Sequence, residues 1–196
     1  MSETDRRHGG RPRSERADKA IIEATLDLLA EEPGLAGLSI EAVAARAGVG
    51  KTTIYRRWPS KDALILDALG AAKAPLPEPS GASVREDLAE LARALTDERK
   101  RRYSRCFWNV AGGAERYPEL YARYKRDIIE PRRDIVRRVL RRGVETGELR
   151  ADLDVEVAMS MLLGSLLARR PQETIPEGHA EAVVDTLLRG IGTVAR

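Results

Sequence analysis

The chain of 196 residues has one cysteine, two histidines and one phenylalanine, and aromatic residues make up only 4% of it. The single cysteine, Cys106, excludes an internal disulfide, and His8 and His179 stand far apart in the sequence. Neither a metal-ligand cluster nor a nucleophile paired with a base is therefore indicated. We expect no metal, no cofactor and no enzymatic activity.

Long apolar runs are also absent. No segment approaches the roughly 18 to 20 apolar residues that would span a bilayer, and residues 1–10 are polar and charged rather than an apolar signal segment. We therefore expect a cytoplasmic protein with no membrane partner. A chain of this length buries roughly 70% of its unfolded surface, which is enough for an ordinary core without disulfides.

Charge is small in total but uneven along the chain. The net charge of +3 does not by itself indicate a nucleic-acid partner. Residues 20–45, however, contain five acids and no base, whereas residues 46–61 contain five bases and no acid: Arg46, Lys51, Arg56, Arg57 and Lys61. Basic residues also crowd positions 6–19 around Gly9, Gly10 and Pro12. Residues 1–14 are predicted to form a flexible basic arm.

The N-terminal apolar pattern is helical. Apolar residues recur at helical spacing in 15–31, and Ser39 can cap a short second helix that ends at Gly48. A third helix is predicted from Lys51 to Trp58, where Pro59 interrupts it, and Ser60 can cap a fourth that runs toward Ala72. The prolines at positions 75, 77 and 79 then mark an internal boundary.

The remaining chain also has helical spacing, and no alternating strand pattern occurs. We predict helices near 83–97, 100–113, 117–142, 153–169 and 179–194. Pro131 should kink the longest of them or stand in the first turn of a restarted helix. The fold class predicted is all-α, with an N-terminal domain of three to four helices at 15–74 and a second helical domain at 75–196.

Two short helices around Gly48-Val49-Gly50 have the layout of a helix-turn-helix. Gly48 permits the sharp reversal, Val49 can fill the wedge between the helices, and the small Ala44 and Ala47 allow close approach. The outward face of the second helix is rich in polar and basic residues. Such a helix fits a DNA major groove about 12 Å wide.

The segment LSIEAVAARAGVGKTTIYRRWPSKDAL, residues 38–64, resembles the DNA-binding signature of TetR-type repressors. The resemblance covers about residues 15–70, and the rest is similar to the family only in its helical layout. It implies a homodimeric transcriptional regulator bound to double-stranded operator DNA. One departure is Gly50, where the family often has a serine; glycine also suits a helix cap but lacks a hydroxyl that could contact phosphate.

The resemblance also implies roles for individual residues. Lys51, Thr52 and Thr53 would face base edges, and Arg56 would read a base or hold a phosphate. Tyr55 and Lys61 match phosphate contacts of the family, and Arg57 and Ser39 are weaker phosphate candidates. In the basic arm, Arg11 and Arg13 could enter the minor groove or merely add attraction.

Two other readings compete with this one. The stretch from Ala45 to Thr52 fits a relaxed phosphate-loop pattern, and Leu64-Ile-Leu-Asp67 resembles an apolar run that ends in a magnesium-binding acid. A phosphate loop must follow a buried strand, whereas residues 39–47 have helical spacing. The other alternative is a helical interaction protein whose DNA motif is vestigial, and DNA binding at physiological salt separates it from a regulator.

The C-terminal half contains two strongly apolar segments, 153–169 and 179–194. They could pack as a four-helix bundle between two subunits, with Gly164 allowing close approach, or they could serve the core of one subunit. Six of the eight aromatic residues fall between 103 and 124, beside Cys106. A small-molecule pocket or an ordinary core would both use this cluster; the pocket candidates are Tyr103, Cys106, Phe107, Trp108, Tyr121 and Tyr124.

Overall fold

The computed structural model describes residues 11–31, 37–73, 75–96, 104–167 and 176–191. Within these ranges the regular elements are helices and no β-strand occurs, as predicted. Tyr103 and residues 1–10 lie outside the described residues, as do the side chains of four other predicted site residues: Arg11, Arg13, Phe107 and Trp108. No helix in the described ranges is long and apolar enough to cross a membrane.

Four helices form the N-terminal part of the chain: α1 (Arg11–Glu31), α2 (Ile40–Ala47), α3 (Lys51–Tyr55) and α4 (Lys61–Ala72). Helix α1 begins four residues earlier than predicted, so residues 11–14 of the predicted arm have a helical backbone. Ser39 and Ser60 cap α2 and α4 as predicted, because each Oγ accepts a backbone N–H three residues later, at 3.1 Å in both cases.

Six further helices follow: α5 (Val84–Thr96), α6 (Ser104–Gly112), α7 (Pro118–Tyr124), α8 (Glu130–Thr146), α9 (Val155–Leu167) and α10 (His179–Ile191). The predicted helix at 117–142 is divided. A π-helical segment, Lys125–Ile129, separates α7 from α8, and Pro131 stands in the first turn of α8. Proline has no N–H to donate to the preceding turn, so the α-helical bonding pattern cannot run through it unchanged.

The described chain divides into two compact units. Unit 1 combines residues 1–72 with 105–121, and unit 2 combines 73–104 with 122–196. In unit 1, α1 packs against α2 and α4, and α2 packs against α3. Its fully buried side chains include Ile21, Leu29, Ile54, Leu64 and Ile65. Residues 105–121 thus group with the N-terminal helices by contact, and the domain bounds 15–74 and 75–196 stay predictions.

The carbonyl groups near the end of α1 receive donors from α6. The Cys106 thiol donates to Leu26 O at 3.3 Å, and the Asn109 amide donates to Leu29 O at 2.6 Å. Leu29 O is one of the last four carbonyls of α1, which have no partner inside the helix, and the Asn109 donor satisfies it. Cys106, 1% exposed, therefore serves the packing of α6 on α1.

Unit 2 has its own core, in which α5 packs against α8, α9 and α10. Ser83 caps α5 with a reciprocal hydrogen bond to Glu86, and Glu148 accepts the N–H of Val84 at 2.9 Å. The core consists of apolar residues from all four helices and the segments between them: Leu76, Val84, Leu88, Leu91, Ala92, Val136, Val139, Leu140, Leu149, Ala158, Met159, Leu162, Leu166, Ala180, Val184 and Leu187.

Candidate nucleic-acid interface

The turn between α2 and α3 is built on Gly48. Its φ of 65° lies in the left-handed region, which glycine adopts without steric cost. The Gly48 N–H bonds to Ala44 O and Ala45 O, and the N–H of Val49 bonds to Ala44 O at 3.0 Å. These bonds satisfy the last carbonyls of α2 and reverse the chain, so only three residues separate α2 from α3.

Gly50 precedes α3 with φ −77° and ψ 148°, a backbone conformation open to any residue. It offers no side chain to cap α3. A Cβ at this position would meet only Thr52 Oγ1, at 3.6 Å, which is an ordinary van der Waals contact. The structure therefore has room here for the serine that the related signature often carries.

Helix α3 is anchored on its inner face. Ile54 is fully buried and Trp58 is 8% exposed, although α3 ends at Tyr55, three residues before the predicted end. The Trp58 indole N–H donates to Asp67 Oδ2 of α4 at 2.8 Å. Burial of two large side chains, each worth about 1.5 to 3 kcal/mol, together with this bond, stabilises the orientation of α3.

The outer face of α3 and the residue that follows it present four of the predicted site residues to solvent. Lys51, Thr52, Tyr55 and Arg56 are exposed, and Tyr55 is 52% exposed although it is a large aromatic side chain. Thr53 is half-buried. An exposed tyrosine beside basic residues fits a phosphate contact through its hydroxyl and ring edge better than core packing.

Two basic residues of the segment 46–61 are paired with acids of α1. Arg46 pairs with Glu31 at 2.7 Å, and Arg57 pairs with Asp18 of α1 and donates to Thr53 O at 3.0 Å. The side chain of Arg57 is only 15% exposed, so a phosphate contact would first require these bonds to open. Arg57 therefore holds the end of α3 against α1, and its phosphate contact stays a prediction.

Ser39 and Lys61 meet at the N-terminus of α2. Lys61 Nζ donates to Leu38 O at 3.1 Å, next to Ser39, whose Oγ accepts the N–H of Ala42. Because the Ser39 oxygen is an acceptor in this cap, its own O–H is available as a donor. A hydroxyl, an ammonium group and the positive end of a helix suit an anion such as phosphate.

Lys51 is paired with an acid of α2. Its Nζ lies 2.9 Å from Glu41 Oε1, and both side chains are more than half exposed, 55% and 65%. The hydrogen bond between them lowers the pKa of Glu41 and raises the pKa of Lys51, so both are charged at neutral pH. Glu41 could not be singled out from the sequence, because an acid within an acidic segment gives no signal of a partner ten residues away.

The nucleotide-binding alternative is wrong for the described residues. The residues before Gly48 form helix α2 rather than a buried strand, and a phosphate loop needs the strand to set its geometry. Asp67, the supposed magnesium ligand, accepts the indole N–H of Trp58.

The residues of the predicted ligand pocket are described only in part. Cys106 is buried and Tyr121 is half-buried in unit 1, and Tyr124 is fully buried in unit 2. The pocket itself stays a prediction.

Both parts of the chain match known protein families. Residues 21–68 match the family described as bacterial regulatory proteins of the tetR family, and residues 78–187 match the tetracyclin repressor-like C-terminal domain. The HTH-type transcriptional regulator YdeS of Bacillus subtilis is 35% identical over 165 residues, which cover 82% of this chain and 81% of YdeS.

Solved structures agree with this match. The TetR family transcription regulator SCO0332 is 34% identical, with a TM-score of 0.64 over 91% of this chain and 100% of its own. A transcriptional regulator of Pseudomonas aeruginosa PAO1 shares the fold with a TM-score of 0.74, at 24% identity and with 92% of each chain covered.

Proposed function

The chain belongs to the TetR family of bacterial transcriptional regulators, and from this premise we propose that it is a homodimeric repressor released from a palindromic operator by a small molecule. The observation that carries the proposal is the exposed first turn of α3, held behind the left-handed turn at Gly48. A helix presented in this way can enter a major groove with its first residues at the base edges.

The proposed DNA contacts divide by chemistry. Lys51 and Thr52 of α3 and Arg56, which directly follows it, lead the base-reading set because they are exposed. Lys and Arg suit guanine O6 and N7, and the Thr methyl suits thymine. Thr53 is half-buried, so it is proposed to contribute less to base reading. Tyr55, Ser39 and Lys61 are proposed to hold phosphates, which fix the register of the helix without reading sequence.

Dimerisation is proposed through α9 and α10, which pack against each other. Four large apolar side chains are exposed in the described residues. Three of them lie on α9: Val157, Met161 and Leu167, which are 54%, 55% and 42% exposed. They share one face with exposed Gly164, while α10 exposes the small Ala182 and Thr186. An apolar stripe beside small residues suits a symmetric helix-helix interface.

Ligand control is proposed to act through the distance between the two recognition helices. On DNA these helices should lie about 34 to 36 Å apart, or a multiple of that distance, to meet successive grooves. A ligand releases the operator only if it binds another arrangement of the subunits more tightly. The ligand site is proposed in the aromatic-rich segment 103–124, of which unit 1 contains Cys106 and Tyr121.

The test is selection of bound duplexes from a random pool, followed by titration of the selected duplex at two salt concentrations. We expect a palindrome, with sequence preference reduced in Lys51→Ala and Thr52→Ala. Recovery of no preferred sequence, with only steeply salt-dependent binding, would favour the helical interaction protein instead. Compounds that raise the melting temperature would then be tested on the operator complex, and a tight ligand that leaves operator affinity unchanged would contradict ligand control.

A further inference from the structure

The ion pair between Glu41 and Lys51 joins the first turn of α2 to the first residue of α3. The two charged atoms are 2.9 Å apart and lie on the exposed side of both helices. An exposed pair of this kind adds only about 0 to 1 kcal/mol to stability. The close packing of α2 on α3 and the bonds of the Gly48 turn already fix the two helices. The fold therefore does not depend on Glu41.

Glu41 nevertheless changes what Lys51 can do. An ammonium group has three protons, and Glu41 accepts one of them. The other two protons remain for acceptors in front of α3. The Glu41 carboxylate also restricts the Lys51 side chain to a smaller set of positions. The carboxylate also offsets the Lys51 charge and repels any phosphate that approaches it.

We propose that Glu41 is a specificity-determining residue, which positions Lys51 toward base edges and weakens binding to arbitrary DNA. The proposal rests on the proposed function, because it requires Lys51 to face DNA. Binding to arbitrary sequences comes almost entirely from attraction to phosphates, which Glu41 opposes. Binding to the operator also needs a correctly placed donor at a base edge, which Glu41 supports.

The experiment compares wild type and Glu41→Gln on the selected duplex and on a scrambled duplex, at several salt concentrations. Glutamine keeps the size of the side chain and removes its charge. We expect tighter binding to scrambled DNA, with a log-log salt slope steeper by about 0.9 for each Lys51 released to a phosphate. The ratio of operator to scrambled affinity should fall about five- to tenfold, part of what a complete base contact provides.

Glu31→Gln is the matched control. Glu31 is also an exposed acid of unit 1 paired with a base, Arg46 at 2.7 Å, and its loss changes the net charge by the same amount. We expect it to leave the ratio and the salt slope near their wild-type values. An equal effect of Glu31→Gln would mean that net charge alone is responsible, and would overturn the proposal.

A second variant tests whether Glu41 acts through Lys51. In a Lys51→Ala background, Glu41→Gln should no longer steepen the salt slope or lower the ratio. If both effects persist there, Glu41 acts on DNA directly and the proposal is wrong. If wild type prefers its operator and Glu41→Gln keeps the wild-type ratio of operator to scrambled affinity, only the role of Glu41 is rejected. Wild type without any preferred duplex would reject the DNA-reading function and the role of Glu41 with it.

Discussion

Asp87 of α5 and Arg142 of α8 form an ion pair at the edge of the unit 2 core, with Asp87 Oδ2 2.7 Å from Arg142 Nη2. Asp87 is 1% exposed and also accepts both donors of Ser80 and the N–H of Gly81. One buried carboxylate therefore connects two helices to the segment that follows the proline-rich boundary. A buried charge is tolerated only when hydrogen bonds and an opposite charge surround it in this way.

Replacement of this carboxylate should be costly. Asp87→Ala leaves the Ser80 and Gly81 donors and the Arg142 charge without their acceptor, and we expect a loss of about 3 kcal/mol in the free energy of unfolding. Urea unfolding followed by circular dichroism measures it. Glu90→Ala, at an exposed position of the same helix, is the control and should change stability by less than about 0.5 kcal/mol. Equal losses in both variants would contradict the role given to Asp87.

The same carboxylate should make stability depend on pH. Burial by itself raises the pKa of Asp87, but hydrogen bonds from Arg142, Ser80 and Gly81 outweigh it and hold the pKa below its ordinary value. A group whose pKa is lower in the folded state contributes stability above its unfolded pKa, about 3.9, and loses it as pH falls through the folded pKa. The stability gap between wild type and Asp87→Asn should therefore be constant at pH 5 to 7 and shrink below about pH 4. A gap that widens on acidification would show the opposite sign.

Gly143 is a close-contact position in α8. A Cβ there would lie 2.7 Å from Leu149 Cδ1 and from Val84 Cγ2, which is closer than non-bonded carbon atoms approach each other. We expect Gly143→Ala to destabilise the protein by about 1 to 3 kcal/mol because the core must move. Gly190→Ala in α10 has open space and should instead stabilise it by up to about 1 kcal/mol through helix propensity. Thermal unfolding of the two variants should shift in opposite directions; a stabilised Gly143→Ala would contradict the packing.

The two glycines of the helix-turn-helix should respond differently to substitution. Gly48→Ala places a side chain at a φ of 65°, which costs about 1 to 2 kcal/mol, and operator affinity should fall with the altered turn. Gly50→Ser meets no obstruction at a φ of −77° and can cap α3, a gain of only about 0.3 kcal/mol because glycine is itself a tolerated N-cap residue. Melting temperature and operator titration check both variants. A loss of operator binding in Gly50→Ser would show that this position must lack a side chain.

The exposed stripe of α9 should control assembly. Met161→Glu places a charge on the proposed dimer face, and we expect the molar mass in sedimentation to shift from dimer toward monomer, with a fall of at least tenfold in operator affinity, equivalent to about 1.4 kcal/mol. Arg138→Gln changes the net charge by the same amount at an exposed position of α8 and should stay dimeric. If Met161→Glu remains dimeric, α9 does not form the interface.

Much of the fold followed from local pattern. Helical spacing, the capping serines at 39 and 60 and the glycine at 48 placed α2, α3 and α4 close to their observed bounds, because caps and turns are decided by neighbouring residues. The exposed face of α3 followed from the same spacing. The π-helical segment before Pro131 was not predicted, since spacing alone does not distinguish it from a kink.

Contacts between distant parts of the chain required the tertiary structure. The segment 46–61 contains five bases and no acid, yet Arg46 and Arg57 are paired with acids of α1, and Lys51 is paired with Glu41. Helical spacing places Met159 and Met161 on opposite faces of α9, and the structure shows that the first is buried and the second exposed. The sequence by itself determined which segments become helices and which motif they form, through short-range propensities and caps. Only the tertiary structure decided which charges and apolar faces remain available to DNA and to a second subunit, because that depends on what packs against each side chain.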